Sequence, residues 1–178
     1  RELEIKVRNE LGVDQQEVTQ KEIHDLEPNL KPIYHGGVYY QYGRHARNPK
    51  KILLKLYDLF LKKGGKFLKM NIDDIKFDEE KPVIRSETQS FLFDKIVIAC
   101  GSFSKKLTDN LDESIPLDTE RGYHVHFKGC DHLLSRPVIF QNRGFGITPM
   151  EQGLRVVGTV EFGGLDNPLS KSRVKNLI

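Results

Sequence analysis

The sequence feature that most constrains the fold is an uninterrupted apolar run at residues 96–100, which contains Ile96, Val97 and Ile98, follows the charged Asp94 and Lys95, and leads into Gly101. Such a run is typical of a strand buried on both faces, as in a parallel sheet covered by helices. Ligands bind beyond the carboxyl ends of such strands, and a glycine there lets the backbone approach a ligand closely. The run therefore predicts a buried strand with a candidate ligand site at Gly101. An ordinary strand-to-helix turn explains the same residues.

Composition narrows the class of protein. The chain has 178 residues, 38% of them hydrophobic and 30% charged, with a net charge of +3 and both signs interspersed. This pattern predicts a globular chain of one domain, or one and a fraction, with a solvated surface and no nucleic-acid partner. No apolar run approaches the ~20 residues of a membrane helix, and the charged first residues do not resemble a signal peptide.

Two cysteines, Cys100 and Cys130, are too few for a disulfide framework, so a reducing, cytoplasmic compartment is expected. Cys100 falls in the predicted buried strand, where cysteine behaves as a small apolar residue. The chain also opens without a methionine and within a helical pattern, at residues 3–11, which indicates a fragment of a longer protein.

The first half of the chain carries clear helix signals. Thr19 and Glu22 have the spacing of a capping box, and the helix that they open is expected to end before Pro28. Asn48 and Pro49 suit the start of a longer helix with an apolar stripe. The period then changes to two, which predicts a small antiparallel meander leading into the buried strand. The predicted strands of that meander are residues 67–70, 72–77, 83–86 and 90–93.

The second half is predicted to be mainly β structure. After Gly101 a short helix is expected, capped by Ser102 or Ser104. Alternating or apolar segments then predict strands at residues 123–127, 138–140, 145–148 and 154–162, followed by a helix from residue 170. On the last strand Leu154, Val156, Val160 and Phe162 share one face. The fold class predicted from these patterns is α/β with a substantial antiparallel sheet.

A metal site is an alternative interpretation of one segment. His124, His126, Cys130 and His132 fall within nine positions, and the first two share one face of a strand. Imidazole and thiolate groups are zinc ligands, so a zinc-binding β domain remains open. Histidines that alternate on a solvated sheet face explain the same residues without a metal.

Several stretches resemble the FAD-dependent D-amino-acid dehydrogenase and oxidase (DAO) family. Residues 117–125 read LDTERGYHV and residues 153–162 read GLRVVGTVEF, and both resemble segments of that family. The run at residues 95–102 with the meander before it, and residues 22–28 ahead of Gly36-Gly37 and Asn48-Pro49, are similar too. These stretches follow one another in the order of the family, so the resemblance covers nearly the whole chain.

The resemblance implies a division of the chain. Residues 49–110 correspond to part of the FAD-binding domain, and residues 1–48 and 111–178 mainly to the substrate domain. The Gly-x-Gly-x-x-Gly turn that opens members of the family does not occur in this sequence, and neither does their closing portion. The chain is therefore expected to be the middle of a longer flavoenzyme, with that turn encoded upstream of Arg1.

The resemblance also implies site residues. Ile72 corresponds to a residue that offers backbone groups to the adenine, and Ala99, Cys100, Gly101 and Ser102 to a stretch near the nucleotide half of FAD. The residues implied on the substrate side are Arg121, Tyr123, Tyr40 and His45. Arg121 and Tyr123 are candidates for the substrate carboxylate, because a planar guanidinium matches a carboxylate. A surface ion pair of Arg121 with Glu120 or Asp118, and sheet packing of Tyr123, remain alternatives.

The implied activity is oxidation of an amine or D-amino acid by hydride transfer from its Cα–H to flavin, which gives an imino acid that water hydrolyses to a keto acid. The implied partner is a small-molecule substrate, and peripheral association of the parent protein with the inner membrane stays open. A non-catalytic binding module that retains the substrate-domain sheet is the alternative from another class.

Overall fold

The computed structural model describes residues 2–111 and 113–178 as a mixture of helices and antiparallel sheets. The helices are α1 (Glu2–Glu10), α2 (Gln20–Leu26), α3 (Pro49–Lys62), α4 (Ser104–Asp109) and α5 (Lys171–Lys175). The strands are β1 (Gln16–Thr19), β2 (Gly36–Tyr39), β3 (Asp74–Asp78), β4 (Lys81–Arg85), β5 (Ser90–Leu92), β6 (Arg121–Lys128), β7 (Val138–Phe140), β8 (Phe145–Met150) and β9 (Gly153–Glu161). The predicted α/β class with an antiparallel sheet is confirmed. Among the described helices, none has the length and apolar character needed to cross a membrane.

The chain divides into two compact units. Unit 1 comprises Arg1–Ile52, Tyr123–Thr159 and Lys171–Ile178, and unit 2 comprises Leu53–Gly122 and Val160–Ser170. The division implied by the resemblance has other boundaries. It assigns residues 49–110 to the FAD-binding domain and residues 160–170 to the substrate domain.

Local sequence signals set the ends of α2 and α3. The Thr19 N–H donates to Glu22 Oε2 at 2.7 Å, and the Glu22 N–H donates to Thr19 Oγ1 at 3.3 Å, so the predicted capping box is confirmed. At the start of α3 the Lys51 N–H donates to Asn48 Oδ1 at 3.0 Å, as expected of an asparagine cap.

Unit 1 is built around two sheets. Strands β1 and β2 pair antiparallel, and a four-stranded sheet has the order β6-β9-β8-β7. Its core contains Tyr123, Val156 and Leu177, against which Val174 of α5 packs. Burial of these apolar side chains supplies the main stabilising term of the unit. The strands at 138–140, 145–148 and 154–162 that the sequence predicts are present with small shifts of their ends.

A buried carboxylate ties α2 to the segment before β7 within unit 1. Glu27 is 4% exposed and accepts hydrogen bonds from the Ser135 N–H at 3.0 Å and from Arg136 Nε at 2.9 Å. The Arg136 guanidinium carbon also lies 5.4 Å from the centroid of the Tyr39 ring. Removal of one partner of such a buried pair leaves an uncompensated charge, so the pair links the end of α2 to the segment before β7.

Unit 2 contains the predicted meander. Strand β4 pairs antiparallel with both β3 and β5, and Ile75 of β3 is 1% exposed. The first predicted meander strand, at residues 67–70, is wrong: no element forms there, and Phe67 instead packs edge-on against Tyr57 with the ring centroids 5.7 Å apart. Alternation over so few residues does not produce a strand where no described neighbour pairs with it.

The predicted buried strand at residues 95–100 is also wrong. These residues form no strand, Val97 is 86% exposed, and Cys100 is exposed as well. An apolar run becomes a strand only when neighbours satisfy its backbone groups and cover its side chains. Within the part of the chain that the structure describes, no strand pairs with this run.

Three further expectations differ from the structure. Helix α4 has no side-chain cap, and the Ser104 hydroxyl instead accepts from the Cys100 N–H at 3.1 Å. Strand β1 forms although its four residues, QEVT, carry little apolar pattern from which a strand could be predicted. Leu154 and Val156 are buried, but Val160 and Phe162 are exposed. Thr159 has a φ of 59°, a left-handed conformation that interrupts the alternation between the two pairs.

Candidate functional site

His45 lies in a cleft of unit 1. The loop between β2 and α3 carries it, and its Nε2–H donates to the carbonyl oxygen of Pro149 at 3.0 Å. The cleft has a volume of about 260 Å³ and is also lined by Arg47, Asp131 and His132. Arg47 Nη2 donates to Asp131 Oδ2 at 3.2 Å across it. A small polar molecule fits such a cleft, although the Arg47 guanidinium and the Asp131 carboxylate that line it already neutralise each other.

Tyr40 and Tyr123, the other predicted substrate residues of unit 1, have different surroundings. Tyr40 follows β2, and the Arg8 guanidinium carbon lies 5.7 Å from the centroid of its ring. Tyr123 is 5% exposed and packs in the core with Val156 and Leu177. Tyr123 is therefore packed in the sheet, which is the alternative given for it above. The His45 ring, by contrast, lines a cleft.

Arg121 holds a loop of unit 2. Its Nη1 donates to the carbonyl oxygens of Asn167 at 2.7 Å and Pro168 at 3.2 Å, and its Nη2 donates to that of Leu165 at 3.2 Å. Its Nη1 also lies 3.7 Å from Glu161 Oε2. The ion pair considered from the sequence thus forms with Glu161 rather than with Glu120 or Asp118. The Arg121 guanidinium, which the resemblance implies as a ligand of the substrate carboxylate, thus already contacts three carbonyl oxygens and a carboxylate.

The predicted cofactor residues lie in two segments of unit 2. Ala99, Cys100, Gly101 and Ser102 are consecutive and exposed, and Ile72 is partly buried in the segment before β3. Gly101 has a φ of 57°, which favours glycine, and apart from Gly101 and its two chain neighbours no described atom lies within 4 Å of the place where a Cβ would stand. Small residues with open space beside the backbone fit the edge of a nucleotide.

The outer face of the sheet, defined here as the side away from Tyr123 and Val156, carries His124, His126 and Arg155. The two imidazole rings have centroids 5.3 Å apart in an edge-to-face arrangement. Loss of solvent lowers the pKa of His124, and the nearby positive charges of Arg155 and His126 lower it further. The sequence predicts the histidines either as zinc ligands or as residues of a solvated sheet face, and its pattern assigns no role to Arg155. The alternation of side chains along β6 and β9 is the sequence signal that puts the histidines and Arg155 on one face of the sheet.

The zinc alternative lacks a donor set. In residues 2–111 and 113–178 the structure brings together no group of three or more His, Cys, Asp or Glu side chains suited to a metal ion. Cys130 is free, and its Sγ lies 3.5 Å from the carbonyl oxygen of Lys128. The proximity of His124 to His126 alone does not make a tetrahedral site.

Thr159 is a second residue that sequence reasoning missed. A β-branched residue with a φ of 59° is a backbone outlier, and the Thr159 hydroxyl is buried without a hydrogen-bond partner in residues 2–111 and 113–178. Arg155 Nε, on the same strand, is likewise buried, and none of the described residues is its partner. Strained backbone and unpaired buried polar atoms concentrate at functional sites, so strand β9 is a candidate for such a site.

Comparison with known proteins identifies relatives. A D-amino-acid oxidase of Bradyrhizobium diazoefficiens is 30% identical over 162 residues, which are 90% of this chain and 38% of that protein. D-amino acid dehydrogenase 3 of Mesorhizobium japonicum is 25% identical and matches 96% of this chain and 43% of its own length. The chain therefore spans less than half the length of the curated relatives that it matches.

A solved structure has the same fold. The crystal structure of glycine oxidase from Geobacillus kaustophilus superposes with a TM-score of 0.82 at 22% sequence identity, over 96% of this chain and 46% of that one. The family model described as "DAO: FAD dependent oxidoreductase" matches residues 1–178. The chain belongs to the DAO family of FAD-dependent oxidoreductases.

Proposed function

We propose that this chain is the middle part of a longer flavoenzyme that oxidises an amine or a D-amino acid to an imino acid, which water then hydrolyses to a keto acid. The observation that carries the proposal is the match of the family model to residues 1–178. The relative with 30% identity is a D-amino-acid oxidase, which favours D-amino acids as the substrate class.

Uncovered apolar surface supports the view that further polypeptide completes the protein. Residue Val97 in the apolar run is almost fully exposed, and α3 has no buried residue although it carries Leu53, Leu56 and Phe60. Extensive exposed apolar surface marks a place where another segment packs. The matched relatives contain more than twice the length that this chain spans, which is enough to supply such a segment.

FAD is the cofactor of the proposed enzyme, and when bound its flavin accepts the hydride from the substrate Cα–H. Ala99, Cys100, Gly101 and Ser102 would hold an edge of its nucleotide half, with Ile72 beside the adenine. The open space at Gly101 and the exposure of its neighbours support this assignment. The phosphate-binding turn is expected in the preceding part of the longer protein.

The substrate side of the proposed enzyme includes Tyr40, His45, Arg121 and Tyr123. His45 contributes a ring at a cleft, and Arg121 positions the loop at residues 165–168 through three carbonyl oxygens. The protein binds the substrate, orients its Cα–H and neutralises its carboxylate, and we assign no general base. The compartment is proposed to be the cytoplasm, in keeping with two free thiols.

The test is to purify the full-length polypeptide encoded by the gene and to measure bound flavin and keto-acid release. We expect a yellow protein that contains FAD and forms pyruvate from D-alanine. A full-length protein that binds no flavin, or that binds it and converts no amine or amino acid, would contradict the proposal.

A further inference from the structure

The segment at residues 45–51 carries His45 and Arg47, two residues that line the cleft of unit 1, into the start of α3. It contains no helix or strand before Pro49, so hydrogen bonds of regular structure do not fix its place. Irregular connections of this kind are held by the contacts that they make with other parts of the fold. The partners of the 45–51 segment therefore decide where the two cleft residues stand.

Glu151, in the turn between β8 and β9, contacts the 45–51 segment at three points. Its backbone N–H donates to the Arg47 carbonyl oxygen at 3.0 Å. Its side chain accepts from Asn48 Nδ2 at 2.6 Å through Oε2, and Oε1 contacts the Lys51 ammonium. One residue of the turn thus binds three places along the segment, which lies about a hundred residues earlier in the chain.

The cleft residues lie directly beside these contacts. The Pro149 carbonyl oxygen, two positions before Glu151, accepts from the His45 ring at 3.0 Å. Arg47 Nη2 donates to Asp131 Oδ2 at 3.2 Å. A displacement of the 45–51 segment from the turn would therefore move both the imidazole and the guanidinium at the cleft.

The Glu151 side chain holds the segment in its charged form. Hydrogen bonds from Lys51 and then from Asn48 lower the pKa of Glu151, and the positive charges of Lys51 and Arg47 lower it further. Each of its two oxygens has a partner of its own, so one carboxylate restrains both the start and the first turn of α3. Contacts at exposed groups are individually weak, and their loss shifts the position of a segment rather than unfolding a domain.

We propose that Glu151 is a positioning residue, which holds the 45–51 segment against the β8–β9 turn and thereby keeps His45 and Arg47 in place at the cleft for the substrate. This inference rests on the proposed function for the assignment of His45 to the substrate side. The Glu151 carboxylate acts through the segment, and its oxygens contact Asn48 and Lys51. The fraction of molecules with the segment in place then sets the apparent affinity for the substrate.

The test exchanges the donor and the acceptor of one hydrogen bond. Asn48→Asp retains a good cap for α3, but it sets a carboxylate against Glu151 in place of an N–H donor. Glu151→Gln removes the negative charge and supplies an amide N–H. In the double variant that amide can donate to the new carboxylate at position 48, which restores the hydrogen bond in the opposite direction.

The first measurement is NMR of 15N-labelled histidine side chains in the 178-residue protein, with the His45 signal identified by its loss in His45→Gln. We expect Asn48→Asp to shift the His45 signal and the double variant to return it toward its position in the parent chain. A mere loss of helix capping would not be repaired by Glu151→Gln, because that substitution leaves the cap of α3 unaltered.

The second measurement is steady-state kinetics of the full-length enzyme, expressed per bound flavin. Asn48→Asp should raise the KM for D-alanine about two- to fivefold with kcat unchanged, as expected when weak exposed contacts set the population that is competent to bind. The double variant should recover most of this loss. Lys51→Met removes the other side-chain partner of Glu151 and should raise the KM as well, so it serves as the test if Asn48→Asp fails to fold.

Glu22→Gln is the matched control, because it removes another carboxylate of unit 1 whose pKa is lowered by hydrogen bonds. It should leave both the His45 signal and the KM as they are in the parent chain. A His45 signal that is unmoved in Asn48→Asp and Lys51→Met, or a double variant that is no closer to the parent chain than Asn48→Asp alone, would overturn the inference. So would a fall in kcat with an unchanged KM.

The two proposals fail in different ways. If the full-length enzyme oxidises D-alanine and neither Asn48→Asp nor Lys51→Met alters its KM or the His45 signal, the inference is wrong and the proposed function stands. If the His45 signal shifts and recovers as expected but no amine or amino acid reduces the flavin, the proposed function is wrong. Glu151 then still positions the 45–51 segment, but the cleft loses its assignment to that substrate.

Discussion

At the scale of single residues, the arrangement on the outer face predicts how His124 titrates. Arg155→Gln removes one of the positive charges that lower the pKa of His124, so this pKa should rise. Recovery toward the ordinary histidine value should be partial, because lost solvent is the larger cause and His126 remains. The measurement is an NMR pH titration of the His124 ring.

Arg143→Gln serves as the matched control for that titration. Arg143 is exposed and is not among the groups that perturb His124, so this variant should leave the pKa of His124 unchanged. An equal rise in both variants would mean that net charge, rather than the neighbouring guanidinium, sets the pKa.

The backbone at Thr159 gives a second prediction at this scale. Thr159→Gly should stabilise the protein by about 1 kcal/mol, because it relieves a strained positive φ and removes a buried hydroxyl without a partner, less the entropy cost of glycine. Urea unfolding measures the change. Glu79→Gly, at an exposed residue with a φ of 55°, is the control and should stabilise less. A net loss of stability in Thr159→Gly alone would show that the hydroxyl has a structural role.

At the scale of elements, the capping box of α2 predicts a pH dependence. The Thr19 N–H lowers the pKa of the Glu22 carboxyl, and the Thr19 hydroxyl lowers it further. Since the folded-state pKa lies below the unfolded value, the unfolded chain binds more protons between the two values. The contribution of Glu22 to stability is therefore present above the unfolded pKa and is lost as the pH falls through the folded pKa.

Glu22→Gln tests this pH dependence, because the amide keeps the shape of the side chain without its titration. Urea unfolding at a series of acidic pH values should show a smaller loss of stability in Glu22→Gln than in the parent chain. Identical pH profiles would indicate that the carboxylate of the capping box contributes nothing in its ionised form.

Elements with local signals were predictable from the sequence, and elements that depend on distant partners were not. The capping box and the Asn48-Pro49 start need only neighbouring residues, and both are confirmed. The run at residues 95–100 needs strands beside it, so its composition alone did not make it a strand. At the site, Arg155 comes close to His124 only because strand β6 lies next to β9, a pairing of distant segments that the sequence pattern does not predict.

At the scale of the whole molecule, the exposed apolar run predicts that one substitution changes the stability of the 178-residue protein and of the full-length protein differently. Val97→Asp should change the stability of the 178-residue protein little, since Val97 is almost fully exposed. In the full-length protein the same change should be strongly destabilising, because further polypeptide is proposed to bury that position. Thermal unfolding of both proteins measures the difference.

Ile75→Ala is the control for that comparison. Ile75 is buried within unit 2 itself, so its truncation should cost about 2–5 kcal/mol in either length of chain. If Val97→Asp were equally harmless in both lengths, the proposed covering segment would not exist.

The central claim is that this chain belongs to an enzyme that takes a hydride from the Cα of an amino acid. Its most direct test is anaerobic mixing of the full-length protein with D-alanine and with D-alanine deuterated at Cα, followed by the absorbance of the flavin. We expect the oxidised flavin band to disappear, and to disappear more slowly with the deuterated substrate. An oxidised band that persists with both substrates and with other amines and amino acids would contradict the account.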